Sequence, residues 1–362
     1  MATKRDYNGP YTGEFLNRVA FPMGGIGAGM VCLEGTGALS HVSVRNKPDL
    51  FNEPMMFAAV FVKGAQNGAR ALEGPVPSWK AFGPAGAGNG GRQKTYGLPR
   101  FRKASFHARF PFGTVLLAQP GLPVRARIVG WSPFLPGNAD DSSLPLAVLE
   151  YRLENVSKRP VEAMFSFHAR NFMEMGAGPR SVGAAGGGFV LRQDASPEAP
   201  HEQGAFSVVA LDPDVKVNCA WFRGGWFDAI TMTWKDIAEG RAPERPPLTE
   251  GAPSPGGSLY VPMRLKAGES REVRLLLNWY CPVTDIRVGK EVESACGAGS
   301  GSCAPPSPAT SPARKETHVP WYAGRFKTIE EVIDYCRANI VRLREETARF
   351  TDCFYDTTLP PE

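Results

Sequence analysis

LAVLEYRLENVSKRPVEAMFSFHAR, residues 146–170, decides the fold class. In its first arm Ala147, Leu149, Tyr151 and Leu153 alternate with partly polar neighbours, and in its second Val161, Ala163, Phe165 and Phe167 alternate again. A period of two sends successive side chains to opposite faces of a strand, so each arm presents one apolar face. NVSKRP between the arms supplies turn residues, and the pair reads as a β-hairpin with one buried face. Working outward, strand signals recur in FHARFPFGTVLLA, VRARIVGW, GGGFVLRQ, AFSVVAL, VNCAWF, AITMTW, SLYVPMRL and SREVRLLLNWY. A dozen or more short strands without helical interludes predict a mainly β protein: a large antiparallel β-sandwich followed by a C-terminal linker helix.

That helix is written in TIEEVIDYCRANIVRLREETARFTDCFY, residues 328–355. Ile329, Ile333, Cys336, Ile340, Leu343, Thr347, Phe350 and Phe354 recur in steps of four and three, which places them on one face. Fully burying a large apolar side chain is worth roughly 1.5–3 kcal/mol, so the stripe needs a cover. Two covers fit the pattern: a following domain, or the chain's own sheet. Pro360 and Pro361 end the helix. Upstream, ESACGAGSGSCAPPSPATSPARKE (293–316) is too low in complexity to bury a core. The expected organisation is a β-sandwich over 1–286, a low-complexity linker over 287–316 and a helical linker over 317–362.

The 40 glycines and 33 prolines agree with a turn-rich β protein. The net charge of +5 arises from scattered residues, without a basic stripe interleaved with aromatics, so no nucleic-acid partner is expected. The N-terminus lacks the apolar core of a signal peptide, and no apolar run approaches the roughly 20 residues of a membrane span. Seven cysteines without a CxxC pair suit a reducing cytoplasm.

FPMGGIGAGM (21–30) is neither a dinucleotide fingerprint nor a P-loop, because the required third glycine and the Lys-Ser/Thr pair are missing. It reads as a strand whose glycines admit a second backbone at close range. In GWSPFLPGNADDSSLP (130–145), Asp140 and Asp141 are neighbours in an apparently extended loop, where their side chains diverge; Asx turns account for them better than acid/base catalysis. His41, His107, His168, His201 and His318 show no metal-ligand spacing, and there is no nucleophile elbow. No metal, no cofactor and no catalytic residue is expected within the chain. The tryptophans at 79, 131, 221, 226, 234, 279 and 321 suit sugar stacking, but core packing or interdomain contact accounts for most of them. FGPAGAGNGGRQKTYGLPRF (82–101) is a long Gly-rich loop of a kind that often carries function.

Four segments in order, NRVAFPMGGIGAGM, WSPFLPGNADDSSLP, YRLENVSKRPVEAMFSFHARN and FYDTTLPPE, resemble glycoside hydrolase family 116 from about Tyr7 to Glu362. That family includes bacterial β-glucosidases and the animal non-lysosomal (bile acid) β-glucosidase, which cleaves glucosylceramide. The resemblance implies an N-terminal, supersandwich-like β domain and its linker helix. In the family these precede an (α/α)6 barrel that carries a glutamate nucleophile and an aspartate acid/base for retaining hydrolysis. Neither catalytic carboxylate has a matching position among residues 1–362. Gly24, Gly25, Gly27, Gly29, Trp131, Asp140 and Asp141 match structural motifs of the sandwich. The segment around Cys296 to Ala313 is longer than the family pattern leads one to expect. The implied partners are a catalytic barrel, in cis or in trans, and a carbohydrate or glycoside substrate.

Trp79, Tyr96 and Arg100 are the residues expected at the rim of the barrel's pocket. As a scaffold domain the chain should show apolar surface on its terminal helix. Two rival readings are a stand-alone carbohydrate-binding or interaction module and a chain that is itself a hydrolase.

Overall fold

A computed structural model of the chain describes residues 5–6, 9–82, 95–225, 228–286 and 317–359. Most of the Gly-rich loop, the low-complexity segment and Trp226 lie outside the described residues. Within them, 17 strands form three antiparallel sheets. The nine-stranded sheet runs in the order Tyr11–Thr12, Lys103–Arg109, Phe112–Ala118, Val124–Trp131, Leu146–Asn155, Ser270–Tyr280, Gly204–Ala210, Gly188–Gln193 and Arg180–Ala185. The five-stranded sheet runs Lys216–Asn218, Gly256–Leu265, Val161–Arg170, Met56–Val62 and Arg70–Ala71, and a small sheet joins Ala20–Met23, Met30–Glu34 and Leu39–Ser43. The mainly β, sandwich-like architecture is the one the alternation predicts.

The two arms of residues 146–170 are strands, but they are not a hairpin. Leu146–Asn155 pairs with Val124–Trp131 and Ser270–Tyr280 in the large sheet, whereas Val161–Arg170 pairs with Gly256–Leu265 and Met56–Val62 in the five-stranded one. Their apolar faces therefore meet across the sandwich, with the Tyr151 and Phe165 rings 5.0 Å apart. Asn155 is the physical reason. Its fully buried amide donates to the carbonyls of Arg159, Leu265 and Lys266 at 2.7, 3.1 and 3.0 Å, and its backbone bonds to Glu269 and Gly268. The turn is thus tied to the neighbouring crossover between Leu265 and Ser270, and both segments pass from one layer to the other. Alternation defines which face is buried but is silent about which strand lies alongside.

Two further expectations are corrected. AITMTW is the start of a helix, Ala229–Ala238, not a strand: the Asp228 carboxylate accepts from Thr231 N, and Ile230, Trp234 and Ile237 pack on Phe57 and Phe61. FPMGGIGAGM is not one strand but two paired strand ends joined by a glycine turn.

The terminal helix, Ile329–Tyr355, starts at Thr328, whose hydroxyl accepts from Glu331 N at 3.2 Å. It lies on the outer face of the large sheet. Ile329, Val332, Ile333, Cys336, Ile340 and Leu343 are buried against Val148, Val190, Val209 and Leu276. The expected exposure of the stripe therefore holds only at its C-terminal end, where Phe354 remains 60% exposed. Leu146 and Val148 face this helix while Ala147 and Leu149 face the sandwich core, so the strand is apolar on both sides because both sides are covered.

Candidate functional site

The family-motif residues converge on the seat of the terminal helix. Gly24, Gly25, Gly27 and Gly29 form the turn after strand Ala20–Met23, and there Ile26 N bonds to Ser142 O at 2.8 Å. A Cβ on Gly25 would lie 2.3 Å from Leu144 O, which is the close backbone approach the glycines were expected to serve. Asp140 and Asp141 sit on a short helix, Ala139–Ser142, rather than in an extended loop.

Asp141 is 3% exposed, and its carboxylate accepts from the Tyr335 hydroxyl at 2.5 Å and from Arg342 at 2.8 Å, with Arg325 3.7 Å away. Burial alone would raise its pKa. The hydrogen bonds from Tyr335 and Arg342 and the charges of Arg342 and Arg325 outweigh burial and hold the carboxyl below its ordinary range. Asp140 accepts from the Trp321 indole at 3.2 Å. Trp131 is fully buried and donates to Glu150 at 3.2 Å, and Glu150 also binds Arg344 of the terminal helix and Arg274 of the sheet, each at 3.1 Å. Glu150 interrupts an otherwise apolar run. That is the signal by which its buried pairing could have been anticipated.

The expected rim residues gather elsewhere, around a buried cluster of charges. Lys80 bridges Glu34 and Glu53, all three below a tenth exposed. The Tyr96 hydroxyl donates to Glu53 at 2.6 Å, and Arg100 donates to Glu73 at 3.0 Å and to the carbonyls of Tyr96 and Leu98. Trp79 donates its indole N–H to Asn17 O at 2.8 Å and is covered by the Arg18 guanidinium. Burial pushes Glu34 above the ordinary carboxylate range even with Lys80 beside it. Tyr96 is likewise raised, first by burial and then by its bond to Glu53.

The cavity within the cluster measures about 30 Å³. That is room for one water molecule, not for a sugar ring. Glu34 and Glu53 thus converge on an ammonium ion, with little room beside it. Glu34, Glu53, Glu73 and Lys80 were not singled out in the sequence, where they are scattered over 47 positions and joined by no motif.

His168 is fully buried between the hydroxyls of Ser166 and Ser258, both at 2.8 Å, and desolvation lowers its pKa to about 3. It is a structural histidine. Among the described tryptophans, Trp131, Trp221 and Trp279 are buried and only Trp321 is largely exposed, which leaves little of a sugar-stacking platform. No helix of the described residues is long and apolar enough to cross a membrane.

Comparison with known proteins identifies the family. Residues 20–343 match the family described as beta-glucosidase 2, glycosyl-hydrolase family 116 N-term. The chain belongs to that family of N-terminal glycoside hydrolase domains. No curated protein matches it. Similar solved structures include a putative kojibiose phosphorylase from human microbiome, at TM-score 0.32 and 9% identity over 70% of this chain and 24% of the other. A polysaccharide lyase scores 0.28 at 10% identity, over 77% and 33% of the two chains. The GH92 alpha-mannosidase from Bacteroides thetaiotaomicron scores 0.21 at 10% identity, over 79% and 35%. The chain thus spans a quarter to a third of the length of these proteins.

Proposed function

We propose that this chain is the non-catalytic scaffold of a retaining β-glycosidase, with β-glucosides, glucosylceramide-like ones included, as its substrate class. The reacting carboxylates would lie on an (α/α)6 catalytic domain acting in cis or in trans. One observation carries the reading. In a chain whose residues 20–343 match a glycosidase N-terminal domain, the buried Glu34 and Glu53 are bridged by Lys80 beside a cavity of about 30 Å³. A retaining pair needs its carboxyl groups about 5–5.5 Å apart across a bound sugar. On this reading Tyr96 and Arg100 hold the segment that begins at Thr95 against the sandwich, and the terminal helix is the strut between the domains.

The test is turnover of an aryl β-glucoside by the purified chain, alone and mixed with a catalytic barrel of the family supplied as a separate polypeptide. The expected result is no turnover by the chain alone and a complex that hydrolyses the glucoside. Turnover by the chain alone, lost on a single carboxylate substitution, would overturn the proposal.

A further inference from the structure

We propose that the outer face of the large sheet carries a binding site for a phosphate-bearing small molecule; the sandwich alone builds it, without a catalytic partner. The site starts from a strand register that is costly in itself. Arg127 and Arg152 are direct partners on adjacent antiparallel strands. Their Cα atoms therefore lie roughly 4.5–5.5 Å apart and their side chains leave the same face. Like charges placed opposite in this way destabilise a sheet. Both residues are exposed and point away from the core, because their strand neighbours Ala126, Ile128, Tyr151 and Leu153 are buried between the layers.

The surroundings add to this excess of charge rather than cancel it. Lys103 and Arg125 line the same groove, of about 490 Å³, and Glu154 is the one carboxylate among its described residues. Glu154 is already held by Arg125 at 2.9 Å. On the far side of Arg152, its strand partner Glu272 accepts from Arg274 at 3.1 Å. Arg152 uses one N–H on the Ser270 hydroxyl at 2.9 Å, and Arg127 has no acidic partner among the described residues. Four cations from three strands thus face one engaged carboxylate across a concave surface.

The chemistry of the walls selects the ligand. A guanidinium fork matches two oxygens of an anion at once. Two forks and an ammonium side by side suit an anion with three or more oxygens in different directions, which a phosphate group offers and a planar carboxylate does not. Leu116, the strand partner of Arg127, is 43% exposed and gives an apolar wall to the carbon part of a phosphate ester. The groove falls within the roughly 300–1,000 Å³ of small-molecule sites. No aromatic ring is among the described residues that line it, so the stacking platform of a single-stranded nucleic-acid site is missing.

The test is calorimetric titration of the full chain with phenyl phosphate and with benzoate, at low ionic strength because salt screens exposed charges. Phenyl phosphate should bind saturably to one site, at least tenfold tighter than benzoate. Arg127→Gln and Arg152→Gln should each weaken it at least tenfold. Lys216→Gln, which removes an exposed cation from the other sheet, should bind as the wild type does. Without ligand, Arg127→Gln should melt no lower than the wild type, since it relieves the like-charge pair. Phenyl phosphate should then raise the melting temperature of the wild type and not that of the arginine variants. No saturable binding, or wild-type affinity in both arginine variants, would overturn the site. Cosedimentation with vesicles of phosphatidylcholine and phosphatidylserine, without binding of phenyl phosphate, would overturn it in favour of a membrane surface.

Discussion

The Asp141 carboxylate accepts a hydrogen bond from the Tyr335 hydroxyl at 2.5 Å, although 194 positions separate the two residues. Together with Arg342 at 2.8 Å, this bond pins the terminal helix to the short helix Ala139–Ser142 that precedes strand Leu146–Asn155. Asp141→Asn is expected to destabilise the fold by about 1.5–3 kcal/mol, the usual worth of hydrogen bonds to a charged group. The sign with pH follows from its depressed pKa. The folded value lies below the unfolded one, so the stabilisation is complete above the unfolded pKa and is lost as pH falls through the folded one. Urea midpoints of the wild type and Asp141→Asn should differ at pH ~7 and converge toward pH ~2. A gap that persists unchanged in acid would show that the loss is one of packing.

His168 titrates in the opposite molecular sense but with the same slope. Its folded pKa of about 3 lies below the ordinary 6.5, so between these values the unfolded chain binds a proton that the folded chain refuses. Stability should therefore drop as pH is lowered through that window, by up to roughly 1.4 kcal/mol per unit from this group. Replacing His168 by Gln, which cannot titrate, should flatten the slope of unfolding free energy between pH ~6 and ~4. An unchanged slope would place the acid sensitivity elsewhere.

Lys80 neutralises two buried carboxylates at once. Lys80→Met removes the ammonium that bridges Glu34 and Glu53 and is expected to cost about 3–5 kcal/mol, as breaking a buried ion pair does. Adding Glu34→Gln and Glu53→Gln should recover part of that loss, since the uncompensated charge is its main cause. Denaturant unfolding of the single and triple variants reads both effects, and a neutral Lys80→Met would contradict the burial seen here.

Two glycines of one turn should behave differently. Gly25→Ala drives a Cβ to 2.3 Å from Leu144 O, a backbone atom that cannot step aside, and should cost about 3 kcal/mol or more. Gly27 has open space around it and a φ of +73°, so Gly27→Ala should cost only about 1–2 kcal/mol of left-handed strain. Thermal melts of the pair measure the difference, and equal losses would mean that the Gly25 approach relaxes.

The sequence by itself determined the mainly β class, the buried faces of strands such as Leu146–Asn155 and the apolar stripe of the terminal helix. Alternation and the 3.6-residue period are local, and each is written in adjacent residues. The family was legible because four motifs occur in order. What covers each face is not local. The same pattern of Ala147, Leu149, Tyr151 and Leu153 suits a hairpin or a crossover between layers, and only the buried amide of Asn155, bonded to a turn more than a hundred positions away, decides for the crossover. AITMTW is rich in β-formers, yet the Asp228 cap and packing against Phe57 and Phe61 make it helical.

The terminal helix had two admissible covers, and the tertiary structure chose the large sheet because Leu146, Val148 and Leu276 supply an outer apolar face and Asp141 and Glu150 supply its anions. The cluster of Glu34, Glu53, Lys80 and Tyr96 was illegible for the same reason. Its members lie on different elements, and a charge's meaning depends on which opposite charge is buried beside it, which folding alone decides.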